Sequence, residues 1–471
     1  MVQKSSTQKI SAEKYWQGMN SISNSVRFLG EEEDVQSFGE RLKTGSPEYE
    51  LPGVSASLEG FDKFFFSMRL LSISKKKEEI LGKLETLAGS YEKWINSELV
   101  ASNYMKDSTF REEIGNDVIF KCKDALERIR EGIALINTNS TVFDAFCFMN
   151  RCMLLQRNIM NFSKKYGAGI ECSFRDFTDP YDDNNDFGWR PFQIAFILMN
   201  LSGMVNPLHK DRQVVDLLYF PTGGGKTEAY LGLMAFVIAF RRLNTSTDDG
   251  FNHDGGVTAI LRYTLRLLTT QQRDRITKMV VAAEMIRKRE FPKYGKESIS
   301  IGFWVGGGVT PNKFSDLIVN TDNNEETVRH NKNMLFKQLL ECPFCGKPLS
   351  EESFEIDTDK QSVSVFCSDE HCMFYKYNSP EKRMQIPVYL VDEEIYARCP
   401  TIILSTVDKF ARLPWDPKTN AIFGRVDRLC ERHGYVAIGE EHKRHNKTAT
   451  LPAAGIKEIK PFLPPELIIQ D

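Results

Sequence analysis

Gly223-Gly224-Gly225-Lys226-Thr227 is the stretch of this sequence best equipped for chemistry. Glycines allow successive backbone N–H groups to turn inward around an anion. A helix starting beside Thr227 would aim the positive end of its dipole at the same point. Lys226 would reach the β- and γ-phosphates of a nucleotide, and the Thr227 hydroxyl would hold Mg²⁺. The expected cofactors are ATP and Mg²⁺, with Thr222, Gly223, Gly224 and Gly225 lining the phosphates. The general phosphate-loop pattern has a further glycine where this chain has Phe220.

Upstream lies Trp189-Arg190-Pro191-Phe192-Gln193. An amide such as that of Gln193 offers one acceptor and one donor group, matching the N6/N7 edge of adenine. Trp189 or Phe192 could stack on the base, and Arg190 completes the group. The competing reading is a helix N-terminus with Pro191 in its first turn. A phosphate loop also needs an acid to hold its metal. Pro464-Pro465-Glu466-Leu467-Ile468-Ile469-Gln470-Asp471 reads as a strand ending in that acid. Val388-Tyr389-Leu390-Val391-Asp392-Glu393 is the rival and would supply a water-positioning base as well. Chain order favours Asp471, because Asp392 precedes the Thr406–Lys409 turn.

Arg262, Thr264, Arg266 and Gln271 fall at a strand-to-helix junction, where side chains and N–H groups can take the phosphates of a nucleic-acid strand. Thr406 and Lys409 occupy a second such turn. Cys342-Pro343-Phe344-Cys345-Gly346, followed by Cys367 and Cys372, has the spacing of a zinc ribbon, in which four thiolates close a structural Zn²⁺ site. His371 is a spare ligand. Cys430, His433, His442 and His445 leave a second metal site open, without a second knuckle of the first kind.

The surrounding elements alternate as an α/β fold requires. Residues 214–220 read as the strand entering the glycine loop and 228–243 as the helix leaving it. Strands follow over 256–262 and 298–305, a long helix over 265–289, and strand, turn and helix over 401–413. Residues 1–170 read as a helical domain, with apolar periodicity over 110–136 and 143–160 and a broken third region over 61–99. The acidic stretch 174–188 reads as a flexible linker. The domains expected are 1–170 helical, 171–341 and 386–471 as two parts of a RecA-like P-loop domain, and 342–385 as an inserted zinc ribbon.

Composition is that of a globular chain: 471 residues, 41% hydrophobic and 27% charged. A net charge of −3 excludes a global basic field, so a nucleic-acid surface must be a local patch. No apolar run reaches the ~18 residues of a membrane span, and no signal core opens the chain. Ten cysteines, six of them scattered outside the paired pattern, suit a reducing compartment. The expected location is the cytoplasm.

Together the stretches 189–198, 219–231, 258–272, 304–312, 342–372, 388–398, 401–414 and 464–471 resemble the helicase-subunit family of the DISARM anti-phage systems, within superfamily 2 helicases. The segment 146–151 is also similar. The resemblance implies an ATP-dependent helicase or translocase acting on DNA, with RNA as the open alternative. It implies partners among other DISARM subunits, such as a DrmB-like protein. Lys226 and Thr227 would take the phosphate and Mg²⁺ roles, Gln193 would read adenine, and Asp471 would open an Asp-Glu motif. The family continues beyond that Asp with a Glu, a His and a second RecA-like domain. This chain is therefore expected to be a truncated or split subunit, weak in hydrolysis and without unwinding alone. The alternatives are a self-contained P-loop ATPase using Asp392 and Glu393, and a non-enzymatic nucleic-acid-binding module.

Overall fold

The computed structural model describes residues 60–99, 109–218, 224–244, 249–263, 270–305, 310–319, 332–411, 413–442 and 453–470, with 27–28, 49–50, 329–330 and 445. The principal helices are α1 (Lys77–Trp94), α2 (Thr109–Thr138), α3 (Ser140–Gly167), α4 (Pro191–Val205), α5 (Lys226–Leu243), α6 (Thr270–Arg289) and α7 (Asp392–Arg398). The principal strands are β1 (Ala259–Tyr263), β2 (Ile301–Trp304), β3 (Phe354–Asp357), β4 (Ser362–Val365) and β5 (Val388–Tyr389). They continue with β6 (Ile402–Thr406), β7 (Val426–Cys430), β8 (Gly434–Ala437), β9 (Ile456–Glu458) and β10 (Leu467–Gln470).

Five strands form one parallel sheet in the order β10-β1-β6-β2-β5. Ala259 lies between Leu467 and Ile402, and Ile301 between Ile402 and Val388. Strands this apolar suit a parallel sheet, whose two faces must both be covered. Residues of β1, β6 and β2 are almost wholly buried. The chain is thus mixed α/β around a parallel sheet.

The helices do not stand apart from it. α3 packs on α5 and α6, and α2 packs on α4. One hydrophobic cluster runs from Phe66 and Leu71 through Phe146, Met153 and Phe236 to Leu261, Phe303 and Leu467. The helical region read over 1–170 therefore shares its core with the sheet. The turn between α2 and α3 is fixed by Asn139, whose side chain accepts from the N–H groups of Thr141 and Val142, an N-cap.

Two expectations change. Residues 214–218 form no strand: Val215 and Leu217 are 95% and 88% exposed. A strand needs a neighbour for its N–H and C=O groups, and among the described residues none pairs with this run. Instead Asp216 is held by Arg128, whose guanidinium donates to both its oxygens at 2.7 and 2.6 Å. The stretch 174–188, expected as a linker, is anchored. The Arg69 guanidinium donates to the carbonyls of Pro180 and Asp182 at 2.8 Å, and Ser67 and the Arg69 N–H both donate to Asp186.

The segment 342–385, expected as an inserted zinc ribbon, carries the β3–β4 hairpin and docks on the end of α3. Phe344 lies 5.4 Å from Phe162 and 4.9 Å from Phe174 between ring centres. Gly346 has φ +73°, and a Cβ there would meet the Ser163 carbonyl oxygen at 2.2 Å, so the knuckle glycine serves both its turn and this close approach. A three-stranded antiparallel lobe, β8-β7-β9, follows. No described helix is long and apolar enough to cross a membrane.

Candidate nucleotide site and metal centres

Gly225 caps α5 with φ +92°, a left-handed conformation that opens the helix head. A Cβ at this position would meet the Gln193 amide nitrogen at 2.7 Å. Gln193 is buried. Its Nε2 donates to the Gly225 carbonyl at 2.7 Å, and its Oε1 accepts from the Arg190 N–H at 2.8 Å. The Arg190 guanidinium donates to the Gly224 carbonyl. The start of α4 is therefore fastened to the carbonyls of Gly224 and Gly225, just ahead of α5. Beyond these two bonds the Gln193 amide has one further hydrogen and one further lone pair. The competing reading, a helix N-terminus with Pro191 in its first turn, is what the fold shows, since Pro191 is the first residue of α4.

Trp189 is not a stacking surface. It is buried, and its indole N–H donates to the buried Asn150 Oδ1 at 2.7 Å. Phe192 is half-buried. Asn150 lies in the segment 146–151 that resembles the family, but its role as the Trp189 partner depends on a contact only the fold makes.

Thr227 follows Lys226 in the first turn of α5, and both are half-buried. The Tyr230 hydroxyl donates to Thr227 Oγ1 at 3.3 Å and lies 2.7 Å from the Tyr263 hydroxyl at the end of β1. These tyrosines tie the loop to the C-terminal edge of the sheet, where parallel α/β sheets bind ligands. Glu228 is buried near Arg157 and Arg275, at 3.8 and 3.5 Å. Thr222, Gly223, Thr264, Arg266 and Asp471 lie outside the described residues. The strand expected to end in Asp471 is present as β10.

Asp392 and Glu393 begin α7, after the edge strand β5, on the opposite side of the sheet from β10. Asp392 is buried and bonded to Lys409, which also donates to Asn312 Oδ1 at 2.9 Å. Glu393 accepts from the Phe314 N–H at 3.0 Å. Lys409, expected at a phosphate, stands here as a buried ammonium held by a carboxylate, an internal ion pair. Thr406 is also fully buried. Arg262 lies over the Phe410 ring at 5.0 Å, and Gln271 is exposed in the first turn of α6.

Cys342, Cys345, Cys367 and Cys372 converge as a buried group. Their sulfurs lie 3.7 Å apart (Cys342 to Cys372) and 3.6 Å apart (Cys345 to Cys367). Tetrahedral zinc with Zn–S of about 2.3 Å sets sulfurs roughly 3.8 Å apart. Burial pushes the Cys342 thiol up, while hydrogen bonds from Cys342, Cys345 and Cys372 hold the Cys367 thiol below its usual range. His371 is exposed and lies outside it. Among the described residues, two further groups gather metal-binding side chains. Glu131, His209 and Asp211 are accounted for by ion pairing, since the Arg128 Nε lies 2.8 Å from Asp211. The other is Cys430, His433, His442 and His445, which the sequence left open.

No protein-family model matches the chain. It is 44% identical over 441 residues, 90% of its length, to the DISARM protein DrmA of Bacillus paralicheniformis. It spans 37% of that protein. The family resemblance carried by the glycine loop and the cysteine knuckles is thus a similarity, along nine-tenths of the chain, to DISARM protein DrmA.

Proposed function

We propose that this chain forms the nucleotide-binding part of an ATP-driven motor acting on DNA, of RecA-like P-loop fold, working with other DISARM proteins in anti-phage defence. The fastening of Gln193 and Arg190 to the carbonyls of Gly225 and Gly224 carries the reading. With those carbonyls engaged, the amides of Gly224, Gly225 and the α5 head are set to receive an anion. Lys226 adds positive charge at the β/γ-phosphates. The Thr227 hydroxyl, oriented by Tyr230, takes a metal site shared with Asp471. ATP bound with Mg²⁺ supplies the phosphoryl-transfer energy. Arg262, Thr264, Arg266 and Gln271 are the proposed DNA contacts, and the four cysteines hold one structural Zn²⁺. The similarity to DISARM protein DrmA supports the defence role.

The reading is tested by titrating the protein with a fluorescent ATP analogue in Mg²⁺. Lys226→Ala should weaken binding at least about tenfold, the loss of one charge-assisted contact to phosphate. Equal affinity of the wild type and this variant would refute it.

A further inference from the structure

We propose that Cys430, His433, His442 and His445 form a second structural Zn²⁺ site, clipping the β7–β9 lobe to the tip of the zinc-ribbon hairpin. The four residues offer one ligand atom each, all within 4.8 Å of one another. Cys430 ends β7 and is buried, and His433 sits in the turn to β8. His442 and His445 come from the segment after β8, where His445 bridges to Ala454.

The details are those of a coordination shell. The Nε2 atoms of His442 and His445 face each other at 3.4 Å. Tetrahedral zinc with Zn–N of about 2.05 Å separates two nitrogens by roughly 3.3–3.4 Å. The three rings meet nearly at right angles, at 87°, 86° and 71°, as rings converging on one centre do and stacked rings do not. His433 Nε2 lies 3.2 Å from the Asp359 carbonyl oxygen, which can only accept. Nε2 therefore carries the proton, and the lone pair of Nδ1 is left for a metal, the outer-shell arrangement usual for ligand histidines. The His433 N–H lies 3.5 Å from Cys430 Sγ. The four-cysteine group repeats that contact twice, from Asp369 to Cys367 and from Phe374 to Cys372, both at 3.5 Å.

One thiolate and three imidazoles make a four-ligand set with no position for substrate, which is the pattern of structural zinc. The lobe also has reason to need a clip. Its own buried cluster consists of Cys399, Ala421, Val426, Ala437 and Phe462, too small to hold three strands by burial alone. Asp359 belongs to the β3–β4 turn, so the site joins this lobe to the ribbon.

Metal analysis of the zinc-saturated, desalted full chain tests the proposal. Wild type should hold two zinc ions. Cys430→Ser and His442→Ala should each hold one, the retained ion reporting an intact four-cysteine site. Cys342→Ser should also hold one. Should these variants fail to fold, X-ray absorption at the zinc edge of the wild type decides. A mixed sulfur and nitrogen shell supports the second site. A single zinc ion with an all-sulfur shell, or two ions retained in both Cys430→Ser and His442→Ala, would overturn it.

Discussion

The Gln193 side chain donates to the Gly225 carbonyl at 2.7 Å, joining the head of α4 to the residue that caps α5. The bond is buried at one end and bears on the loop's conformation at the other. Gln193→Ala should free that carbonyl and weaken nucleotide binding about 5- to 30-fold, the range for one buried hydrogen bond of ~1–2 kcal/mol. A fluorescent-nucleotide titration reads this, and Gln193→Ala binding as tightly as wild type would contradict it.

Lys409 and Asp392 form an internal pair, so their loss should appear in stability. Lys409→Met removes the ammonium paired with the buried Asp392 carboxylate and should cost about 3–5 kcal/mol. The double variant Lys409→Met with Asp392→Asn should recover a large part of that. Denaturant unfolding of both proteins checks the coupling. A Lys409→Met protein of wild-type stability would restore the phosphate-contact reading.

Trp189 and Asn150 should behave as a packing unit. Asn150→Leu leaves the indole N–H without its acceptor in the core, at a cost of about 1–3 kcal/mol. Thermal unfolding should show a drop of several degrees. Quenching of Trp189 fluorescence by bound nucleotide would instead show that the indole reaches the base.

Glu394 is buried in α7 and accepts from the Val363 N–H at 3.0 Å. Burial pushes its carboxyl up to about 8. The folded protein therefore binds a proton that the unfolded chain, with a carboxyl near 4.3, releases at neutral pH. This contribution is fully present below about pH 4 and is lost as pH rises through 8. Thermal melts from pH 5 to 8.5 should show wild type losing stability relative to Glu394→Gln. Parallel profiles would contradict it. Comparison with the variant cancels the opposite trend of the thiolate sites, which gain metal as pH rises.

What the sequence disclosed was chemistry with local spacing. Lys226 and Thr227 after the glycines, and Cys342 and Cys345 around a proline, announce themselves within a few residues. Partners distant in the chain do not. Nothing near Lys409 shows that Asp392 and Asn312 enclose it, and nothing in 174–188 shows that Ser67 and Arg69 anchor it. The run 214–218 has strand composition, yet pairing depends on a neighbour, and composition cannot supply one. Cys430, His433, His442 and His445 left a second metal site open in the sequence, and only the fold brings the turn at His433, the end of β7 and the two later histidines together.

The central claim is that the amides at the head of α5 receive the phosphates of ATP. Hydrogen exchange resolved to single amides, with and without Mg²⁺-ATP, measures this directly. The amides of Gly224, Gly225, Lys226 and Thr227 should slow on nucleotide addition in the wild type and remain unchanged in Lys226→Ala. Unchanged exchange at these four amides in wild-type protein saturated with ATP would contradict the account.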